Sequence, residues 1–327
     1  MYIVTGATGF IGSNLLAEME HRGYEDIVAV DWFGDGEKWK NVAKRGAVRF
    51  VLPEEMWPFM ESHADEIKAV LHLGAISSTT ETDVDKIVKN NFELTVRLYE
   101  FCRGRNVQLV YASSAATYGG GEQGFVDRDD LAFVSRLRPL NPYGWSKNAV
   151  DKHIAADRER NGAGPQTVGL KFFNVYGPNE YHKGMQMSVM RHFKRQFEET
   201  GKVRLFKSYR EDCADGEQRR DFVWVGDCVD VMLWMVEHPE VSGLFNVGTG
   251  KATSYNTVAR SVAESMGVEP VIEYIDMPDS VRNQYQYFTE ADLSKLRKAG
   301  YDRPMTNVPE GVEKYVKEYL SKEDWYR

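Results

Sequence analysis

Short apolar runs alternate with longer amphipathic stretches from the first residues onward. Tyr2–Thr5, Ile27–Asp31, Val48–Leu52, Ala69–Leu73, Val107–Ala112 and Thr167–Phe173 are rich in aliphatic and β-branched residues. Runs of this kind, apolar on both faces, mark strands of a parallel sheet. Helical spacing lies between them: Leu15, Leu16 and Met19 follow the first run, and Val84, Ile87, Val88, Leu94, Leu98, Phe101 and Cys102 follow the fourth. The alternation predicts an α/β fold with a doubly wound parallel sheet. Beyond Phe173 the rhythm changes. The turn Asn174-Val175-Tyr176-Gly177-Pro178 leads into a segment rich in Met, His, Lys and Arg up to Glu199, and 208–220 reads as a long charged loop. Strand character returns at 220–227, helix at Cys228–Glu237 and strand at Leu244–Val247; 250–327 reads as mainly small helices. This predicts two interleaved domains: 1–174 with about 221–249, and about 175–220 with 250–327.

The junctions between runs carry the chemistry. Gly6-Ala7-Thr8-Gly9-Phe10-Ile11-Gly12 stands between the first strand and the first helix. There, backbone N–H groups and the positive helix end can meet a pyrophosphate, so the stretch predicts a dinucleotide site. Asp31, at the end of the second strand, suits adenosine ribose hydroxyls and favours NAD; Lys38, soon after, suits the 2′-phosphate of NADP or remains a solvated surface lysine. Gly74-Ala75-Ile76-Ser77 follows the fourth strand with side chains small enough for a cofactor to lie close. Asn90 and Asn91 sit in the next helix, either exposed or buried with partners. Ser113 and Ser114 end the fifth strand, where a hydroxyl can orient a reacting oxygen or simply serve a turn. In Asn141-Pro142-Tyr143-Gly144-Trp145-Ser146-Lys147, Asn141 suits an N-cap and Pro142 the first turn. Tyr143 and Lys147 then share a helix face, where the ammonium lowers the phenol's pKa and fits it for proton transfer, unless the two are only a surface pair.

Composition narrows the field. The 327 residues carry a net charge of −8, which argues against a general binder of nucleic acid or anionic membrane. The longest apolar run is too short for a membrane span. Cys102, Cys213 and Cys228 form no close pair, as expected of reduced thiols in a cytoplasmic protein. The seven histidines show no metal-ligand spacing, so no metal is expected.

The glycine motif, Ser114, Tyr143 and Lys147 appear in the order of the extended short-chain dehydrogenase/reductase family, which the chain resembles over nearly its whole length. The resemblance implies a Rossmann domain and a smaller, interleaved C-terminal α/β substrate domain, a nucleotide-sugar substrate, and a homo-oligomer, in some members a pentamer. It makes Tyr143 the acid/base, Lys147 its support and Ser114 the group that orients the oxygen. Sugar dehydratases of the family carry an Asp-Glu pair where this chain has Ala115 and Ala116, which leaves epimerases and reductases; a non-catalytic NADP sensor is a further alternative. Ser113–Gly120, Asn174–Pro178 with His182-Lys183-Gly184, Arg220-Asp221-Phe222 with Val225-Gly226-Asp227, and Gln284-Tyr285-Gln286 with Phe288-Thr289 resemble the branch that inverts C6 of an ADP-linked heptose, a lipopolysaccharide precursor, with bound NADP. By that resemblance Lys183 is a second acid/base, where the residues alone leave it a phosphate-binding or solvated lysine. Phe10, Ile11, Asp31, Trp32, Lys38, Leu73, Gly74, Ala75, Ile76, Ser77, Asn90 and Val175 join Gly6, Gly9 and Gly12 along the cofactor. Asn174, His192, Phe206, Arg220 and Tyr285 fall at substrate positions. Trp32 and Leu73 depart from the pattern, standing where a small amide and an acid are common. The acidic loop 208–219, with Glu211, Asp212, Asp215 and Glu217, reads as a lid or an oligomer contact.

Overall fold

The computed structural model describes residues 1–282 and 285–327; Gln284, part of one motif above, lies outside the described residues. The strands are β1 (Tyr2–Thr5), β2 (Ile27–Val30), β3 (Val48–Val51), β4 (Ala69–His72), β5 (Gln108–Ser114), β6 (Thr167–Phe172), β7 (Asn174–Tyr176), β8 (Val203–Phe206), β9 (Arg219–Arg220), β10 (Phe222–Trp224), β11 (Gly243–Val247), β12 (Thr253–Ser254) and β13 (Ile272–Ile275). Seven of them form one sheet in the order β11-β6-β5-β4-β1-β2-β3, with every pairing parallel. The direction of winding reverses between β1 and β4. In open α/β sheets such a reversal opens a ligand crevice at the carboxyl ends of the strands.

Two apolar layers cover the sheet. Val4, Leu71, Val110, Leu170 and Val247 pack on one face against Leu15, Leu16 and Met19 of helix Phe10–His21 and Met232, Leu233 and Trp234 of helix Val225–Glu237. Ile3, Val28, Val70, Leu109 and Tyr111 pack on the other against Leu98 and Cys102 and against Val150 and Ile154 of helix Pro142–Asn161. The strand period of two thus divides neighbouring residues between the layers. A third core joins Phe193, Phe197, Leu205, Phe222 and Trp224 to Val258, Val262 and Val312, away from the main sheet.

The expectation of mainly small helices over 250–327 needs correction. That stretch contains the 12-residue helix Tyr255–Met266 and two strands. β12 pairs antiparallel with β9, and β13 pairs parallel with β8. β12 has only two residues, and β13, Ile-Glu-Tyr-Ile, is largely half-exposed and lacks the unbroken apolar run that marks the four-residue strands of the main sheet. The helix after β4 is a composite, Val84–Ile87 and Leu94–Arg105 joined by a π-turn over Val88–Glu93. Such turns concentrate at functional sites.

Candidate active site

Gly6 closes β1 with φ +64°, and a Cβ there would lie 2.6 Å from the amide nitrogen of Gly74. Only glycine lets the loops after β1 and β4 touch backbone to backbone. The next helix begins at Phe10 behind Gly9, whose missing side chain leaves the first N–H groups without a side-chain cap. An uncapped helix start at a sheet reversal fits a dinucleotide pyrophosphate.

Asp31 is tied to this loop from below. Its Oδ2 accepts Thr8 N–H at 2.9 Å and Thr8 Oγ1–H at 2.7 Å, and Oδ1 accepts the Trp32 amide at 2.8 Å. Lys38 Nζ lies 2.9 Å from the same Oδ1 and donates to Trp32 O at 2.8 Å. The pairing neutralises the carboxylate that would repel a 2′-phosphate. Trp32 is half-exposed, with its Nε1–H on Glu54 at 2.7 Å.

The loop 73–77 is held by Asn91, which the sequence reading left undecided beside Asn90. Asn91 is fully buried in the π-turn; its Oδ1 accepts Ile76 N–H at 2.8 Å, and its Nδ2 donates to Ile76 O at 3.0 Å and Ser146 Oγ at 3.1 Å. Ser146 in turn donates to the carbonyl of Tyr143 at 2.8 Å. Asn90 only donates back to Lys86 O, on the solvent side. Beneath the loop, His72 lies buried between Thr5 Oγ1 at 2.6 Å and Thr95 Oγ1 at 2.9 Å. Thr95 donates its proton to Asn91 O, so it must accept from His72 Nε2–H, and Nδ1 is the acceptor of Thr5. Burial, aided by Lys147, pushes the imidazole pKa down to about 3 and fixes it neutral.

Helix Pro142–Asn161 starts as its sequence predicts. Asn141 Oδ1 caps Gly144 N–H at 2.8 Å, and Pro142 fills the first turn. Gly144 allows a close approach: a Cβ would lie 2.6 Å from Ala116 O, in the turn after Ser114. Ser114 Oγ accepts the Ala116 amide at 3.1 Å and lies against the Tyr143 phenol. One expectation fails here. Burial raises the Tyr143 pKa, the Ser114 hydroxyl opposes that rise, and Lys147 contributes nothing to it. Lys147 is itself buried, which brings its ammonium down to about 8 against the opposing pull of Asp151. Sharing a helix face is therefore insufficient: the charge of the ammonium is felt at His72 and is itself held by Asp151.

Lys183 reaches the crevice from a short helical segment, Tyr181–Gln186. Its ammonium stands 5.2 Å above the Phe10 ring, and among the described residues no carboxylate pairs with it. Burial lowers its pKa, and Glu180 opposes the shift. The segment hangs from the glycine loop by asparagines that the sequence did not advertise. Asn41 Nδ2 donates to Thr8 O at 2.9 Å and lies 3.1 Å from His182 Nδ1; Asn179 donates to Ser13 Oγ at 3.0 Å; Asn14 donates to Pro178 O at 2.9 Å. Glu180, fully buried, accepts Ser188 Oγ–H and Tyr315 O–H at 2.6 and 2.8 Å. The tail locks the arrangement: Tyr181 O–H donates to Trp325 O at 2.8 Å, Arg327 N–H to Asn179 Oδ1 at 2.9 Å, and the Arg327 guanidinium pairs with Glu18.

The substrate-position residues fall in two groups. His192 lies near the lysine segment, 3.3 Å from Met185 O. Arg220, only 6% exposed, stacks 5.2 Å over the Tyr285 ring, which meets Phe206 edge to face. No carboxylate pairs with Arg220 among the described residues; Nη1 donates to Arg219 O at 2.9 Å, and the rest of the fork is available to an anion. Asn174 and Val175 pair with Phe222 and Val223 two residues further along. Asp221, quoted in its motif without a role, is buried and accepts from Thr249 N and Oγ1, Gly250 N and Ala291 N, and so pins the Arg220 strand to two loops.

The profile of the NAD dependent epimerase/dehydratase family matches residues 2–248. The ADP-L-glycero-D-manno-heptose-6-epimerase of Nitratidesulfovibrio vulgaris strain DP4 is 46% identical over 327 residues, 99% of each chain. The crystal structure of Helicobacter pylori ADP-L-glycero-D-manno-heptose-6-epimerase superposes with TM-score 0.78 and 25% identity, covering 98% of this chain and 96% of that one. The UDP-glucose 4-epimerase of Thermus thermophilus, in complex with NAD, gives 0.75 and 26%, over 98% and 99%. Profile, relatives and the glycine-loop geometry agree, and the chain belongs to the NAD dependent epimerase/dehydratase family.

Proposed function

We propose that the protein inverts C6 of the heptose in ADP-D-glycero-D-manno-heptose, giving the L-glycero epimer for the lipopolysaccharide inner core. The nicotinamide, when bound, supplies reversible hydride transfer at C6. Tyr143 takes the hydroxyl proton through the minor phenolate fraction that its raised pKa leaves, while C6 becomes a ketone, and Ser114 orients the oxygen. After the ketone turns over, Lys183 delivers a proton to the oxygen as C6 is reduced from its other face. The proton gained by Tyr143 and the one lost from Lys183 exchange with solvent, and the hydride that leaves C6 is the one that returns, so no net redox change results. The Arg220 fork holds the diphosphate beside Tyr285 and Phe206; Asn174 and His192 line the sugar end.

The observation that carries this reading is a second ammonium over the glycine loop, paired with no carboxylate among the described residues. A one-way reductase needs a single proton donor, whereas inversion needs protonatable groups for two orientations of the oxygen. Lys38 supports NADP over NAD, because it cancels the Asp31 charge at the ribose. We further infer that 1–174 with 221–249 hold the dinucleotide and 175–220 with 250–327 the sugar, in a cytoplasmic homo-oligomer.

The test is incubation with ADP-D-glycero-D-manno-heptose in heavy water, with C6 followed by NMR. The expected result is inversion with C6 hydrogen retained. Deuterium at C6, or steady consumption of added NADPH, would exclude the direct route. Lys183→Met should cut turnover by about 10²–10⁴ with the fold intact.

A further inference from the structure

A buried ion pair lies directly behind the candidate active site, and the mechanism above does not use it. Lys171, on β6, and Asp151, on helix Pro142–Asn161, meet at 2.6 Å with side chains 1% and 0% exposed. Desolvating two charges cancels most of what their attraction returns, so such a pair is a poor source of stability. Its connections point elsewhere. Asp151 also accepts Tyr111 O–H at 3.0 Å and Ser113 Oγ–H at 2.9 Å, both from β5. Lys171 also donates to Thr117 Oγ1 at 2.7 Å, and Thr117 passes its proton to the carbonyl of Ser114 at 2.8 Å. The remaining face of the ammonium stands 5.0 Å from the Tyr118 ring. Tyr143, Lys147 and Asp151 follow one another at i, i+4 and i+8, on one side of their helix.

We propose that Asp151 and Lys171 are positioning residues of the reaction: the pair seats the Ser114 turn against the helix of Tyr143 and Lys147 and holds a negative charge one turn beyond Lys147. The first task is mechanical. Gly144 and Ala116 allow the helix and the turn to touch, and the pair joins the strand end, the turn and the helix just behind that contact. The second is electrostatic. Lys147 shares one side of its helix with Tyr143 and Asp151 and couples to Asp151 and to neutral His72 on β4, and Lys171 on β6 lies beyond Asp151. Asp151 is the anion that opposes the loss of its proton. The proposal rests on the roles assigned above to Ser114, Tyr143 and Lys147.

The test compares Asp151→Asn, Asp151→Glu and the double variant Asp151→Asn/Lys171→Met, each well below its melting temperature, by pH profiles of kcat and KM for C6 inversion. Asp151→Asn removes the anion and bares a cation near Lys147. Its alkaline limb, expected where Lys147 loses its proton, at about 8, should move acidward by about one unit, with kcat down about tenfold or more at about pH 7.5 and KM within about threefold. Asp151→Glu should return the limb toward its native place. The double variant removes both charges, keeps the fold if Asp151→Asn alone does not, and should fall between. Unmoved limbs in all three, with losses that follow melting temperature, would overturn the proposal. A second arm needs no turnover: the Lys147 ¹³Cε resonance, assigned by its loss in Lys147→Arg, should titrate at lower pH in Asp151→Asn. A shift there without any inversion by the native protein would sink the substrate reading and leave the pair's role standing; an unchanged titration would sink the pair.

Discussion

Replacing Asn91 with alanine tests whether a buried amide holds the cofactor loop. The side chain is fully buried, and its loss strips Ile76 of partners for both its N–H and its C=O. An orphaned buried polar group costs about 1–3 kcal/mol. Ile76 is half-buried, so water reaches part of the gap and the lower end applies, about 1 kcal/mol for each group. Ser146 keeps its bond to Tyr143 O and loses only a donor. The truncation adds a small cavity, about 1 kcal/mol more. The sum is about 3 kcal/mol, or about 6 °C at roughly 2 °C per kcal/mol in a large chain. Calorimetry should read that drop, and fluorescence titration should read weaker binding of the nicotinamide dinucleotide. The control is Asn90→Ala, one residue away, whose exposed bond to Lys86 O predicts a change within about 0.5 kcal/mol. A native melting temperature for Asn91→Ala, or a larger loss for Asn90→Ala, would refute the reasoning.

His72 should make the protein acid-sensitive. Its folded pKa of about 3 lies below the unfolded 6.5, so stability is full above pH 6.5 and falls as the pH drops toward 3. At about pH 5 the loss is about 2 kcal/mol, and urea melts at about pH 7 and pH 5 should lose that component in His72→Asn. Gly144→Ala drives a methyl group against Ala116 O and should cost about 1–3 kcal/mol while lowering kcat more than it raises KM, read by melting and steady-state kinetics. Arg220→Met should raise the KM for the nucleotide sugar by about tenfold or more and leave the melting temperature nearly unchanged; an unchanged KM would remove Arg220 from the diphosphate.

The parts legible in the sequence are those written locally. Strand runs buried on both faces, Gly6 to Gly12 between strand and helix, and the Asn141-Pro142 start of the Tyr143 helix all follow from neighbours in the chain. What escaped depends on partners far along it. Asn91 finds Ser146 55 positions away, Asn41 finds His182 141 away, and Asp151 finds Lys171 20 away. A buried polar residue looks like any surface residue until its partner is known. The Tyr143–Lys147 reading erred for a related reason. Spacing fixes which face of a helix a side chain leaves from, whereas the atoms it meets depend on β4 and Asp151.

The contacts of the tail with the Lys183 segment also set an order in time. Domains fold from the N-terminus while a chain is being made. The glycine loop, Asp31, the 73–77 loop, Ser114, Tyr143 and Lys147 all precede residue 148, and β11, which completes the sheet, ends at Val247. Trp325, Tyr326 and Arg327 are added long afterwards, and only then can Tyr181 and Asn179 acquire those partners. A growing chain can therefore assemble its dinucleotide cradle, Tyr143 included, well before Lys183 is clamped. If Lys183 completes the inversion, a growing chain that has passed Val247 but not reached Trp325 has its dinucleotide cradle but does not turn over sugar, and the addition of 325–327 clamps the second acid/base.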